Sequence, residues 1–329
     1  MNRRNFFSRL AASGLAAGAL GWAVGSGPSL GPGLDFVQGT TRRRPRTQAA
    51  RKPHNPNLDR VGISSWSFRA YFQATREPDS KLTGQMLALL DFPEMIADQY
   101  DVHNLEFVAP HFASAEPAYL QEIKAKLLVA HSRLVNIPVD IKEIWNEGGL
   151  SDPKEEVRDP AIEASKKWID IAKTLGARSV RCDPGKVNPD DLALTIDSYK
   201  KLVAYGKPKG IYVIIENHGE IADHAEQLVK IFKGVGSEFI GALPDFGNFS
   251  DETARERGLT TLFPYAKTVC HAKGLEFDAS GNESKFDFPK CVGISKKAGY
   301  KGVYSIEYEG PGDPYAGVHA VVAELVRLL

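Results

Sequence analysis

Ile211-Tyr212-Val213-Ile214-Ile215-Glu216-Asn217-His218-Gly219 is an apolar, β-branched run that ends abruptly in a carboxylate and a glycine turn. Such a run reads as a strand, and the stretch that follows it, Asp223–Phe232, has helical period. The same strand-then-helix unit recurs outward in both directions. Towards the N-terminus the strand candidates are Val61–Ser65, Asn104–Val108, Leu134–Val139 and Ser179–Cys182; towards the C-terminus they are Phe239–Pro244, Thr268–Ala272 and Gly302–Tyr308. Between and after them lie the helical stretches Gly84–Tyr100, Pro117–Ser132, Ala161–Leu175, Pro189–Tyr205, Asp251–Phe263, Phe286–Ala298 and Pro314–Leu328. Asp159-Pro160, Asn188-Pro189 and Asp313-Pro314 each offer an N-cap with proline at the first helical position. Leu175-Gly176 and Ala298-Gly299 offer glycine stops. Eight such units predict an α/β fold of the (β/α)₈ TIM-barrel type, which needs about 250 residues. The rival is a doubly wound open sheet. No GxGxxG turn follows the first strand and no GxxxxGK[ST] loop occurs, so the usual nucleotide sites of that rival are missing.

The 329 residues carry 41 Lys+Arg and 41 Asp+Glu, but the balance is uneven along the chain. Residues 1–60 hold ten Lys/Arg against Asp35 and Asp59, a net of +8, which leaves −8 for residues 61–329. An acidic barrel is a poor partner for a phosphate backbone, so nucleic acid is not expected as a ligand. Cys182, Cys270 and Cys291 form neither a disulfide framework nor a zinc-binding spacing.

Arg3-Arg4-Asn5-Phe6 precedes a weakly apolar Ala/Gly/Leu run from Leu10 to about Val24. Residues 1–26 resemble a twin-arginine signal peptide, which implies the twin-arginine export machinery as a partner and a periplasmic or otherwise extracytoplasmic location. The run is too short and too rich in glycine for a stable membrane span in the mature form. Residues 27–58, with Arg42-Arg43-Arg44-Pro45-Arg46, read as a disordered basic linker, and residues 59–329 as the single-domain barrel.

In a barrel, catalytic side chains come from the C-terminal ends of the strands. The last four strands deliver there Glu216, Asp245 (in Pro244-Asp245-Phe246-Gly247-Asn248), His271 (in His271-Ala272-Lys273) and Glu307 (in Ser305-Ile306-Glu307-Tyr308-Glu309). Three carboxylates on one rim repel each other unless a cation lies between them. One divalent ion held by Glu216, Asp245, His271 and Glu307 removes the conflict; three oxygens and one nitrogen suit Mn²⁺, Co²⁺ or Mg²⁺, with Zn²⁺ acceptable.

These motifs resemble the xylose-isomerase-like superfamily, and within it the sugar phosphate isomerase/epimerase branch. The resemblance covers residues 60–329 and implies a TIM barrel with one metal on those four ligands. It further implies that Glu216 and Glu307 move the proton as base and acid. The expected chemistry is sugar isomerisation or epimerisation through an enediolate, with a small carbohydrate as substrate. An alternative is a lyase or hydratase that acts on 3-keto-glycosides by elimination; a third reading is a non-catalytic carbohydrate-binding barrel. Homo-oligomers are compatible with all three.

Further substrate contacts are sought at His218 and Lys273, each two residues beyond a ligand, and at Glu106 and Arg181 on earlier strands, where a Glu–Arg ion pair is the competing reading. Trp66 after the first strand could stack on a sugar face or simply pack. Asn248 is a further candidate substrate contact: ketose 3-epimerases carry a histidine there and an arginine where this chain has Phe277, so the grip on substrate differs. The superfamily's abasic-site endonucleases need extra metal-binding histidines; this chain has 8 His in all, and His54 lies in the linker. Residues 142–158, with Trp145, read as an exposed loop or a lid.

Overall fold

The structure is a computed structural model that describes residues 55–78, 85–145 and 147–329. The twin-arginine segment and nearly all of the basic linker lie outside these residues. The end of the linker does not. Pro56–Arg60 forms a 3₁₀ turn in which the Asn55 side chain accepts from the amide of Asn57. Asn57 Nδ2 donates to the Val326 carbonyl at 2.9 Å and Leu58 packs on the core, so residues 56–58 belong to the barrel rather than to the linker.

Eight parallel strands follow: β1 Val61–Ser64, β2 Asn104–Glu106, β3 Arg133–Pro138, β4 Ser179–Arg181, β5 Tyr212–Glu216, β6 Ile240–Leu243, β7 Val269–Gly274 and β8 Val303–Tyr308. Their order is β6-β5-β4-β3-β2-β1-β8-β7. The seam between β6 and β7 is closed by parallel bridges at Ala242↔Ala266 and Asp245↔His271. Pro244 explains the break in that ladder: it has no N–H to give, but its carbonyl accepts from His271 N at 2.9 Å, and Phe246 N donates to His271 O at 3.1 Å. The seam therefore sets Asp245 directly beside His271. This is a closed (β/α)₈ barrel.

Each strand is followed by a helix, and three helix starts differ from expectation. The first is Phe92–Tyr100: Gly84, the expected start, lies outside the described residues, and residues 85–91 are not helical, Pro93 being tolerated only in a first turn. Asp159-Pro160 is not a helix start. The helix spans Glu155–Leu175, with Glu155 and Glu156 in the first turn favouring the positive end of the helix dipole and Pro160 inside it. The helix expected from Pro189 begins at Ala193, because Asn188 Oδ1 accepts from Asp190 N and folds that segment into a turn. Asp313 does cap Pro314–Leu328, accepting from Tyr315 N, and Gly176 stops its helix at φ +80°. The stretch after β3 is more ordered than a loop, with a short helix at Lys142–Trp145, a 3₁₀ turn at Gly149–Ser151, and Ile144 and Leu150 fully buried.

The main core lies between sheet and helices. Alternate residues of the strands, such as Cys270 and Ala272 of β7 and Tyr304, Ile306 and Tyr308 of β8, pack outward into it. Inside the barrel a small apolar layer of Val135, Ile214, Leu243 and Val269 forms its own cluster. Tyr212 and Val303 pack against that layer, and the barrel also buries Glu106, Arg181, Glu216, His271, Lys273 and Glu307, so an apolar layer supports a charged one. No helix among the described residues is long and apolar enough to cross a membrane.

Candidate metal centre and active site

Glu216, Asp245, His271 and Glu307 converge, each offering one ligand atom, all within 4.8 Å of one another and all buried. His271 Nδ1 lies 3.1 Å from Glu216 Oε1 and 3.5 Å from both Asp245 Oδ2 and Glu307 Oε2. Asp245 Oδ1 accepts from the amides of Gly247 (2.6 Å) and Asn248 (3.0 Å), which fixes the carboxylate from the turn that follows it. Its Oδ2 is buried with no hydrogen bond. Asn217 secures the same turn, accepting from Asp245 N at 2.7 Å and donating to Asp245 O at 3.2 Å.

The charge balance is lopsided. Glu106, Asp140, Asp183, Glu216, Asp245 and Glu307 are all buried, and the permanent cations buried with them are Arg181 and Lys273. Lys273 pairs with Glu307 Oε2, Asp245 Oδ2 (3.2 Å) and Glu309 Oε1 (3.4 Å). Arg181 pairs with Asp140, Asp183 (2.7 Å) and Glu216. Burial pushes Asp245 above the usual carboxylate range despite Lys273 beside it. Burial pulls His271 down, but Glu307, Glu106 and Glu216 outweigh it and hold the imidazole well above its ordinary value. An excess of buried negative charge, a hydrogen-bond-free carboxylate oxygen and a ring nitrogen in one small volume is the donor set a divalent cation requires. The residues fit the ion.

The other sequence-derived candidates are placed as follows. Glu106 and Arg181 do not pair with each other. Glu106 Oε1 faces His271 Nε2 at 3.0 Å and its Oε2 accepts from Asn136 Nδ2 at 3.0 Å, while Arg181 is taken up by three carboxylates. Asn248 Nδ2 donates to Glu216 Oε1 at 2.9 Å, so it steadies a candidate ligand. His218 turns towards the β4 side, with Nδ1 3.5 Å from Asp183 and its ring edge-on to Trp145. Trp66 is buried and donates to Glu309 Oε1 at 2.6 Å. Phe277 stacks on Tyr308.

Sequence reasoning passed over Asp140 and Asp183. The available signals were that Asp183 stands two residues beyond Arg181, in phase with it, and that Asp140 directly ends the apolar run of β3.

The family described as xylose isomerase-like TIM barrel matches residues 97–328. No curated protein sequence matches the chain. Among solved structures, D-psicose 3-epimerase with D-tagatose from Clostridium cellulolyticum H10 is similar at 14% identity and TM-score 0.61, covering 82% of this chain and 98% of its own. The 3-keto-D-glucoside 4-epimerase of E. coli is similar at 13% identity and TM-score 0.58, covering 82% and 99%. A xylose isomerase-like TIM barrel protein from Mycobacterium smegmatis in complex with magnesium is similar at 15% identity and TM-score 0.59, covering 84% and 98%. Identities this low speak for the fold alone. With 232 consecutive residues matched by the family model, the chain belongs to the xylose isomerase-like TIM barrel family.

Proposed function

We propose that the protein is a divalent-metal-dependent sugar isomerase or epimerase. One observation carries the reading: three buried carboxylates and an imidazole from the ends of β5 to β8 each offer one ligand atom, all within 4.8 Å of one another. When bound, the ion would polarise a sugar carbonyl and so acidify the C–H of the neighbouring, hydroxyl-bearing carbon. Glu216 and Glu307 stand on different strands, and each has one oxygen engaged by a cation, Arg181 or Lys273. These two carboxylates are the groups that take a proton from carbon and return it. Among similar folds, two are named as epimerases of D-psicose and of a 3-keto-D-glucoside, and one holds magnesium, which supports this substrate class and cofactor.

A second reading is elimination from a 3-keto-glycoside. It draws on His218, which lines a cleft with Trp145 and Asp183 and is the side chain assigned to meet a departing oxygen. Export by the twin-arginine machinery rests on Arg3-Arg4 and the weakly apolar run after them. The deciding experiment is metal analysis of the purified protein, followed by incubation with free and 3-keto sugars in deuterated water. Deuterium uptake without cleavage supports isomerase or epimerase chemistry, and aglycone release supports elimination. A metal-free protein that does neither sinks both.

A further inference from the structure

Resting on the metal reading above, we propose that Arg181 is a positioning residue that presents Glu216 to the ion through one oxygen only. The Arg181 guanidinium is fully buried and grips three carboxylates from three strand ends. Nη2 donates to Asp140 Oδ1 beyond β3, and Nη1 donates both to Asp183 Oδ2 beyond β4 (2.7 Å) and to Glu216 Oε2 at the end of β5. Glu216 Oε2 is thus occupied, and Oε1 is the oxygen turned to His271 Nδ1 (3.1 Å) and Asn248 Nδ2 (2.9 Å). An unrestrained glutamate can rotate about its last torsion and offer either oxygen, or both. A planar, permanently charged fork bound to one of them removes that freedom.

The backbone is held by the same assembly. Glu216 N donates to Asp183 Oδ1 at 3.3 Å, so Asp183 holds residue 216 directly at its amide and, through Arg181, at its carboxylate. The anchor reaches further out: Trp145 Nε1 donates to Asp140 Oδ1 at 3.3 Å, which ties the short helix after β3 to the orientation of a ligand on β5. A lysine would balance the charge but has no second nitrogen to hold Asp140 while the first holds Glu216, as Nη2 and Nη1 of Arg181 do. Geometry, beyond charge, is what arginine supplies here.

The test uses the full-length protein and Mn²⁺ alone. Calorimetry gives the affinity, and the electron paramagnetic resonance spectrum of bound Mn²⁺ reports ligand geometry independently of turnover. Arg181→Lys keeps the charge and loses the fork, and Arg181→Met loses both. Both are expected to bind Mn²⁺ about 10- to 100-fold more weakly, the loss typical when support behind a ligand is removed, and with an altered spectrum. Asp183→Asn, which keeps a hydrogen-bonding group in place, is expected to show a smaller loss and carries the test if Arg181→Met fails to fold. Affinities within twofold of wild type with an unchanged spectrum overturn the role, and so does tighter binding in Arg181→Met, which would make Arg181 a competing charge. A wild-type chain that binds no Mn²⁺, or whose binding survives joint Glu216→Gln and Asp245→Asn substitution, overturns the metal site itself and this inference with it.

Discussion

Nε2 of His271 lies 3.0 Å from Oε1 of Glu106, a residue 165 positions earlier in the chain and on β2, across the barrel interior from β7. For Nδ1 to act as a ligand, the ring proton must sit on Nε2, and Glu106 is the acceptor that holds it there. Glu106 is itself held by Asn136 Nδ2, and Asn136 Oδ1 accepts from Ser179 Oγ at 2.7 Å, so the orientation of the ring is supported two strands deep. Carboxylate–histidine–metal arrangements of this kind raise the basicity of the ring and fix its tautomer.

Glu106→Gln is therefore expected to lower Mn²⁺ affinity by about 10- to 100-fold. The fold should persist, since glutamine keeps the size and one acceptor. Calorimetric titration alongside thermal melting checks this; unchanged affinity in a folded variant would remove Glu106 from the ligand set's support.

Metal binding is expected to depend on pH with a defined sign. In the metal-free protein the surrounding Glu307, Glu106 and Glu216 overcome the effect of burial and raise His271 well above its ordinary value. Its proton therefore contributes stability that is fully present below about pH 6.5, the ordinary value, and is lost as pH rises towards the raised folded value. An ion that uses Nδ1 must displace that proton. Mn²⁺ affinity should rise with pH through the neutral range, with about one proton released per ion, read from calorimetry in buffers of differing ionisation enthalpy. A flat profile without proton release would exclude His271 as a ligand.

Gly247→Ala should disturb the site without unfolding the barrel. A Cβ on Gly247 would stand 2.8 Å from Lys273 Cβ and closer still to its Cγ. Those atoms lie next to the backbone of β7 and cannot swing aside, so Lys273 Nζ would be displaced from Asp245 and Glu307. A fall in turnover of tenfold or more is expected, with a melting temperature within a few degrees of wild type. Full activity in the variant would show that the Lys273 contacts are dispensable.

Glu324 offers a stability test remote from the site. Burial raises its carboxyl above the usual range, although the Glu283 amide donates to it at 3.0 Å. With a raised folded value, stability is greatest at low pH and falls as pH rises above the ordinary value of about 4.3. Glu324→Gln keeps an acceptor for the Glu283 amide and removes the ionisation penalty. The melting temperature at pH 7 should rise by about 1–3 °C, with little change at pH 4. Arg327 Nη2 lies 3.6 Å from Glu324 Oε1, and a drop at pH 7 would mean that this ion pair outweighs burial.

The amino-acid sequence by itself determined the alternation of strand and helix and the four ligand candidates. Both are local in origin: a β-branched run ending in a charged residue declares its own strand end, and barrel topology then places every such end on one rim. Proline positions were less informative, because Pro93, Pro160 and Pro189 each satisfy a local rule while tertiary packing chooses where the helix begins. Only the tertiary structure decided what stands behind the ligands. Glu106, Asn136, Asp140, Arg181 and Asp183 come from β2 to β4 and the turns after them, and nothing in their spacing says whether Glu106 meets Arg181 or His271. That pairing is set by strand register and barrel closure, which bring together residues more than a hundred positions apart and whose hydrogen bonds leave no local trace in the chain.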